Sequence, residues 1–383
     1  MSLVNDTVLE RINTLVVVTN KDGKIEYVSP SVKRILGYDP KELLGDGWWA
    51  LTRDNSKERR KMKEFVRYQL DQTPLTETTP QERLLKTAGG GEKWILWNTS
   101  RGLFNKLIAI GHDITDRKKA EEQLQQKHRE LEQQNRDILA SIRYARRIQE
   151  SLLSDTQKLQ AFHDHFVLYL PQAEVSGDYY FFHQRGSKTF VVAVDCTGHG
   201  VPGALMTMIA HSILKEVLVK KALDDPAEML HALDEELALE LHHEGRENTD
   251  GMDVAIAVLD REMHTISYAG AFRPMLRVRE NVIEEFAPNR FPIGFYGDAE
   301  KTFVTRTEPV LPGDTFYLFT DGYCDQFGGE QKKKFNRARF KELLLSVQTM
   351  PLAEQASFLK YALRNWRQEE PQVDDVLVIG LRV

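Results

Sequence analysis

Four acidic points recur in the C-terminal half of the chain, each beside an apolar run or a glycine. They are Glu174-Val175-Ser176-Gly177-Asp178-Tyr179-Tyr180, the run Val191–Val194 ending in Asp195, Leu318-Phe319-Thr320-Asp321-Gly322-Tyr323, and Gln372-Val373-Asp374-Asp375 leading into Val376–Leu381. A lone Asp-Gly or Gly-Asp is ordinarily a turn. Four together, each next to a buried strand, form a different proposition. Several carboxylates that converge without His or Cys partners suit a hard divalent cation, Mg²⁺ or Mn²⁺. Two such ions can share a carboxylate and a water whose pKa falls toward neutrality, and that water attacks phosphorus in line.

The elements that must position these groups centre on Val191–Met208, VVAVDCTGHGVPGALMTM. An apolar strand delivers Asp195 to its tip, and the glycine-rich turn Cys196–Gly200 bends the chain at once toward a helix. Pro202 is expected as the first helical residue, and Leu205, Ile209, Ile213 and Val217 are expected on one buried face. The free N–H groups and positive dipole end of such a helix suit an anion such as phosphate. A bland alternative makes Asp195 merely the helix N-cap. His199, beside the helix start, is a candidate proton donor to a leaving oxygen; its other reading is a turn-structuring residue. Asp250 and Asp253 read as non-ligands at a strand start, Arg273 as a surface turn before Pro274 with phosphate contact its alternative, and Lys332-Lys333-Lys334 as a solvated loop with recruitment of a phosphorylated or acidic partner its alternative.

The motifs SGDYY, VAVDCTGHGVPGALM, TDGMDVAIAVLD, YAGAFRPML, FPIG, LPGDTFYLFTDGYCDQFGG and VDDVLVIG run in this order from about residue 160 to the end. Together they resemble the metal-dependent protein serine/threonine phosphatases (PPM), specifically the SpoIIE/RsbU branch. The resemblance implies an α/β sandwich of two antiparallel sheets flanked by helices. It also implies that Asp195 bridges two Mn²⁺ or Mg²⁺ ions. Asp178 and the Cys196 carbonyl would complete one site, and Asp321 and Asp374 the other, with Asp375 the alternative to Asp374. Three positions depart from the family pattern: Cys196 after the bridging aspartate, Ala271 where a histidine is common, and Val376 where a Thr is usual. None removes a ligand, so an active enzyme is expected.

Toward the N-terminus, Leu15–Thr19 and Ile25–Ser29 are β-rich runs around Asn20-Lys21-Asp22-Gly23, a hairpin signal. A helical turn from Pro30 to Gly37, a charged helix over Asn55–Gln72, and strands at Arg83–Thr87, Lys93–Thr99 and Lys106–Ile114 follow. This order, with YVSP, LGY, ELLG and the closing GHDITDR, resembles a PAS domain. The absence of cysteine before Cys196 excludes flavin-adduct photochemistry, and no histidine stands on the long helix to bind haem. Trp48, Trp49, Trp94 and Trp97 are candidate pocket residues, with Trp94 and Trp97 on opposite sheet faces. The sensor's ligand is left unknown.

From Arg117 to about Leu153 there is neither glycine nor proline, and Leu124, Leu131, Ile138, Ala145 and Leu152 fall seven apart. Such a seam, with Asn135 at a companion position, favours a parallel two-stranded coiled coil. Ala140–Leu153 carries Ile142, Ala145, Ile148 and Leu152, with Leu139 and Leu153 just off the seam, a stripe wider than two strands need, so part of it is expected to pack on the C-terminal domain. His128 is not read as a phospho-accepting histidine, because no ATP-binding motifs follow.

Length and composition set the frame. The chain has 383 residues, 41% hydrophobic and 28% charged, with net charge −6 and two cysteines. That describes a multidomain globular chain, argues against nucleic-acid binding driven by bulk charge, and fits a reducing cytoplasm. No run of about 18 apolar residues is evident, so no membrane span is expected. The expected α+β multidomain organisation is a PAS antiparallel sheet with helices (1–117), a coiled-coil helix (118–155) and a PPM-type domain (156–383). The function expected is that of a cytoplasmic, homodimeric, signal-regulated phosphoserine/phosphothreonine phosphatase. Its implied substrate is a phosphorylated STAS-type anti-sigma-factor antagonist. The rival reading is a catalytically silent partner-binding scaffold.

Overall fold

The computed structural model describes residues 13–53, 55–71, 80–101, 106–159, 164–241, 250–294 and 301–383. Thr249 of the expected TDGMD motif and Gln72 of the charged helix lie outside them. The chain divides into two compact units, Met1–Asn135 and Arg136–Val383. The division falls within one helix, Thr115–Leu152.

The first unit holds β1 (Thr14–Thr19), β2 (Ile25–Val28), β3 (Gln81–Lys86), β4 (Glu92–Arg101) and β5 (Leu107–Asp113), in the sheet order β2-β1-β5-β4-β3. All pairings are antiparallel. The two outer hairpins meet where β5 slots between β1 and β4, which closes the sheet without a crossover helix. Its helices include Ser31–Ile35, Gly47–Leu51 and Ser56–Asp71. Leu15, Val17, Ile95 and Trp97 from the sheet pack with Val32, Leu36, Trp48, Trp49 and Val66 in one core.

The second unit holds β6 (Asp164–Leu170), β7 (Asp178–Arg185), β8 (Lys188–Cys196), β9 (Gly251–Asp260), β10 (Thr265–Ala271), β11 (Met275–Arg279), β12 (Val282–Phe286), β13 (Ile293–Gly294), β14 (Arg306–Pro309), β15 (Thr315–Phe319), β16 (Phe327–Gly328), β17 (Lys333–Lys334) and β18 (Val376–Arg382). One sheet runs β14-β10-β9-β8-β7, with β13 beside β9; the other runs β12-β11-β15-β18-β6. Alternation along β7 and β8 explains the layering. Phe182, Val191 and Ala193 face the second sheet's Phe316, Leu318, Leu377 and Ile379. Tyr179, Phe181, Val192 and Val194 face helices Gly200–Lys215 and Pro226–Leu241. Helices Arg337–Ser346 and Leu352–Arg367 cover the second sheet's outer face through Phe340, Leu344, Leu359 and Leu363. The result is the expected sandwich of two antiparallel sheets flanked by helices.

Two local expectations are corrected. The helix after Asp195 begins at Gly200 with His199 as N-cap, so Pro202 is its third residue and Asp195 does not cap it. Its buried face is Met206, Ala210, Ile213 and Val217, while Leu205 is 58% exposed. Ile213 and Val217 are buried as expected and Ile209 packs partly buried on the core, but Met206 and Ala210 of the neighbouring row take the place expected for Leu205. With its π-helical continuation, Gly200–Lys220 is long and apolar enough to span a membrane by composition. Half of it is buried here in the core just described.

Candidate functional site

The strand run Val191–Val194 is apolar on both faces because helices cover one side and the second sheet the other, as expected for a doubly covered strand. Its tip is where the chemistry gathers. In the first sheet Asp178 on β7 pairs directly with Asp195 on β8, and Asp195 pairs with Asp253 on β9. Three carboxylates therefore stand on adjacent strands at one end of the sheet, where directly paired Cα atoms lie about 4.5–5.5 Å apart. Asp321 follows β15 and Asp374 precedes β18 in the second sheet. Asp195, Cys196, His199, Asp253, Arg273, Asp321 and Asp374 line one cleft of about 280 Å³, open to solvent.

Among the described residues, one side-chain cation meets three of these carboxylates. One Arg273 terminal nitrogen lies 2.8 Å from Asp195, 2.9 Å from Asp253 and 2.8 Å from Asp321. Arg273 is buried, contrary to its reading as a surface turn. The turn that delivers it has Phe272 in the left-handed region at φ 56°, and the Tyr268 hydroxyl donates to the Arg273 carbonyl at 2.5 Å. A Cβ at Gly270 would meet that hydroxyl at 2.1 Å, so the turn requires glycine there.

The remaining contacts give the two carboxylates of the Asp374-Asp375 doublet different work. Both Asp375 oxygens are taken by backbone: Gln172 N–H donates at 2.6 Å and Gly177 N–H at 2.7 Å. Asp375 thereby ties the Ser176-Gly177-Asp178 loop to the start of β18. Asp374 lines the cleft, and its carboxylate accepts from the Asp375 N–H at 2.8 Å. Asp178 is buried behind the cleft and accepts from the Thr320 hydroxyl at 2.7 Å. The Cys196 thiol is buried, and its backbone N–H donates to the Gly177 carbonyl at 3.0 Å. His199 is exposed at the cleft rim.

The same loop is gripped from the other side by the helix Thr115–Leu152. Gln149, only 4% exposed, donates to the Ser176 carbonyl at 2.6 Å and the Thr207 hydroxyl at 2.8 Å, and accepts from the Ser176 N–H at 3.0 Å. Tyr179 donates to the Leu152 carbonyl, and Leu152 and Leu153 pack on the core. The helix end does pack on this domain, but a polar residue carries the grip; Ala145 and Ile148 of the expected apolar stripe stay exposed.

Burial and mutual repulsion dominate the electrostatics. Burial, with Asp195 and Asp375 nearby, raises the Asp178 carboxyl well above the ordinary carboxylate range, against the Thr320 hydrogen bond. Burial also raises Asp195; Arg273 opposes this while Asp321, Asp253 and Asp374 add to it. Asp253 and Asp374 are raised chiefly by burial too. Burial works against the Arg273 cation, but the charges of Asp195, Asp321 and Asp253 outweigh it and hold the guanidinium firmly protonated. Such a site demands positive charge.

The donors are the hard oxygens that divalent ions prefer. As they stand, no three His, Cys, Asp or Glu side chains among the described residues are gathered as a finished metal cage. Arg273 explains this: oxygens meeting a guanidinium at 2.8–2.9 Å are further apart than oxygens meeting Mg²⁺ at about 2.1 Å. Donor chemistry and charge thus fit divalent ions. Sequence reasoning missed Asp253 and Arg273 as site residues. Asp253 was recoverable from the β8–β9 register, whereas Arg273 depends on a turn geometry that no periodicity encodes.

Two family models match the chain: Stage II sporulation protein E (SpoIIE) over residues 185–383 and a PAS domain over residues 13–116. Comparison with curated proteins gives no match. Among solved structures, the chain is similar to the SiaA-PP2C domain of Pseudomonas aeruginosa, with 32% identity and a TM-score of 0.60. That match covers 65% of this chain and 98% of the other. It is also similar to the PP2C phosphatase domain of SpoIIE from Bacillus subtilis with a regulatory fragment (15% identity, TM-score 0.48, covering 57% and 63%). A third similarity is to the RsbU and RsbW domains of Rv1364c from Mycobacterium tuberculosis (22% identity, TM-score 0.47, covering 57% and 59%).

Proposed function

Because the chain belongs to the SpoIIE family, with a PAS domain ahead of its phosphatase domain, we propose that it is a signal-regulated, metal-dependent protein phosphatase acting on phosphoserine or phosphothreonine. The observation that carries this is the convergence of Asp195, Asp253 and Asp321 on one cation, in a cleft also lined by Asp374. Asp178, Asp195 and the Cys196 carbonyl would hold one divalent ion, and Asp195, Asp321 and Asp374 the other. Mn²⁺ or Mg²⁺ would neutralise the carboxylates and acidify a water for attack on phosphorus. Before the ions bind, Arg273 keeps the carboxylates from repelling one another. Asp375 and Gln149 fix the loop that carries Asp178, and Thr320 orients its carboxylate. His199, at the rim beside the helix N-terminus, donates a proton to the departing serine or threonine oxygen.

The wider reading follows the family resemblance. The substrate is a phosphorylated STAS-type anti-sigma-factor antagonist, and the enzyme works in the cytoplasm as a homodimer paired through its long helix. Leu124, Leu131 and Ile138, seven apart, are 72%, 61% and 56% exposed in the single chain, which supports a partner helix. The test is phosphate release from a phosphoserine peptide. Turnover is expected only with Mn²⁺ or Mg²⁺, and to fall by orders of magnitude in Asp195→Asn. Undiminished turnover in excess chelator overturns the mechanism.

A further inference from the structure

The first unit contains a cavity lined by Val17, Trp48, Trp49, Arg53, Arg83 and Trp97, with further apolar side chains from β5 and the helix Ser56–Asp71. It has about 60 Å³ of room for the centres of water-sized molecules, enough for a small organic molecule rather than a single water. Its chemistry is lopsided. Among the described residues two arginines line it, and no aspartate or glutamate does.

The polar groups at its wall are short of acceptors. The Nε–H groups of Arg53 and Arg83 and the indole N–H of Trp97 are buried, and none has a hydrogen-bond partner among the described residues. Arg53 itself is 6% exposed. Its Nη1 donates to the Thr52 hydroxyl at 3.3 Å, and its guanidinium lies 5.1 Å from the Trp49 ring centre. The Arg83 Nη2 donates to Gln81 at 2.6 Å. By contrast Trp49, on the same wall, donates its indole N–H to the Gly23 carbonyl at 2.8 Å. Buried N–H groups without acceptors are costly and uncommon, and three of them belong to side chains that line this one cavity; each is covered in the ligand-free chain, so an entering acceptor would meet it after a small side-chain rotation. Burial, with Arg83 close by, lowers the Arg53 pKa to about 10, against the pull of Glu58.

We propose that this cavity binds a small organic carboxylate, its charged end taken by Arg53, Arg83 and the Trp97 indole and its apolar body by the tryptophan wall. Arginine forks match carboxylate oxygens, and three donors with two cations ask for an acceptor-only anion. The apolar remainder of the lining favours a hydrocarbon or aromatic body over a bare inorganic anion. The inference is independent of the phosphatase reading, since every residue it uses lies in the first unit.

The test uses the full chain with acetate, isobutyrate and benzoate, the corresponding amides, and inorganic phosphate, read by tryptophan fluorescence and thermal melting. At least one carboxylate is expected to saturate a fluorescence change and raise the melting temperature, with its amide at least tenfold weaker. Arg53→Met and Arg83→Met are each expected to weaken that carboxylate at least tenfold. Arg83→Lys, which keeps the charge, guards against loss through misfolding and should retain part of the affinity. Ligand-free Arg53→Met should melt no lower than the parent, because it removes an unsatisfied buried cation. No response to any carboxylate, equal response to the amides, or phosphate binding as tightly as the best carboxylate overturns the assignment. A ligand-free Arg53→Met that melts well below the parent makes Arg53 a structural residue and overturns it too.

Discussion

Replacing Arg273 with Met keeps a long side chain and removes the one cation that Asp195, Asp253 and Asp321 share at 2.8–2.9 Å. Breaking a buried ion pair by deleting one partner costs about 3–5 kcal/mol. The three carboxylates keep some contact with water, so the lower end, about 3 kcal/mol, is expected. For a domain of this size that is a fall of about 6–12 °C in melting temperature, measured in chelator. The pH dependence has a definite sign. Burial and neighbouring carboxylates raise Asp178, Asp195 and Asp253. A carboxyl raised in the folded state contributes stability that is complete below its unfolded pKa, about 3.9, and is lost as pH rises through the folded value. The deficit of Arg273→Met should therefore widen from pH 5 to pH 8. Divalent ions restore the missing charge and no longer compete with the guanidinium. Mn²⁺ should then bind the variant up to about two orders of magnitude more tightly, the same 3 kcal/mol expressed as affinity. At about a hundredfold excess over Kd, the ion returns about 2.7 kcal/mol and nearly closes the gap. Melts across a Mn²⁺ titration measure all of this. A metal-free melting temperature within a degree of the parent, or unchanged Mn²⁺ affinity, refutes the reasoning.

The Asp374-Asp375 doublet should separate by readout. Asp375→Ala leaves the Gln172 and Gly177 N–H groups without their acceptor and should cost about 2–4 kcal/mol in urea unfolding. Asp374→Ala should leave stability within about 1 kcal/mol and weaken Mn²⁺ binding instead. Leu131→Glu with Ile138→Lys and a second pair, Leu131→Glu with Ile138→Glu, should both give monomers in light scattering; a dimer in both variants would locate self-association elsewhere. Gln149→Met preserves volume but orphans the Ser176 N–H and carbonyl, so it should lower stability by about 2–3 kcal/mol in urea unfolding.

Much of this architecture was legible from local pattern. The Val191–Val194 run, the Asp195 turn and the alternation in β7 follow from strand period and turn chemistry, which depend on near neighbours alone. The expected strands of the first unit lie within two residues of the observed ones at every end, and the opposite facing of Trp94 and Trp97 follows from the same period. Trp97 lines the cavity, while Trp94 stands under the Lys118 ammonium, 5.4 Å from its ring centre. Contacts between distant segments were less visible. Choosing between Leu205 and Met206 for the buried helix face requires knowing where the sheet lies, since both rows are apolar. Gln149 stands two heptads beyond Asn135, at a companion position of the seam where local pattern shows only a polar side chain, yet its partners are 27 and 58 residues away. Asp253 and Arg273 escaped for the same reason: each gains its significance from strands and turns that meet it only in the folded chain.

The central claim is that Asp195 is shared between two divalent ions, and calorimetric titration of the metal-free protein with Mn²⁺ tests it most directly. Two ions per chain are predicted, and Asp195→Asn should weaken both while its far-ultraviolet circular dichroism stays unchanged. Absence of Mn²⁺ binding, a single ion per chain, or an Asp195→Asn variant that loads both ions with parental affinity would contradict it.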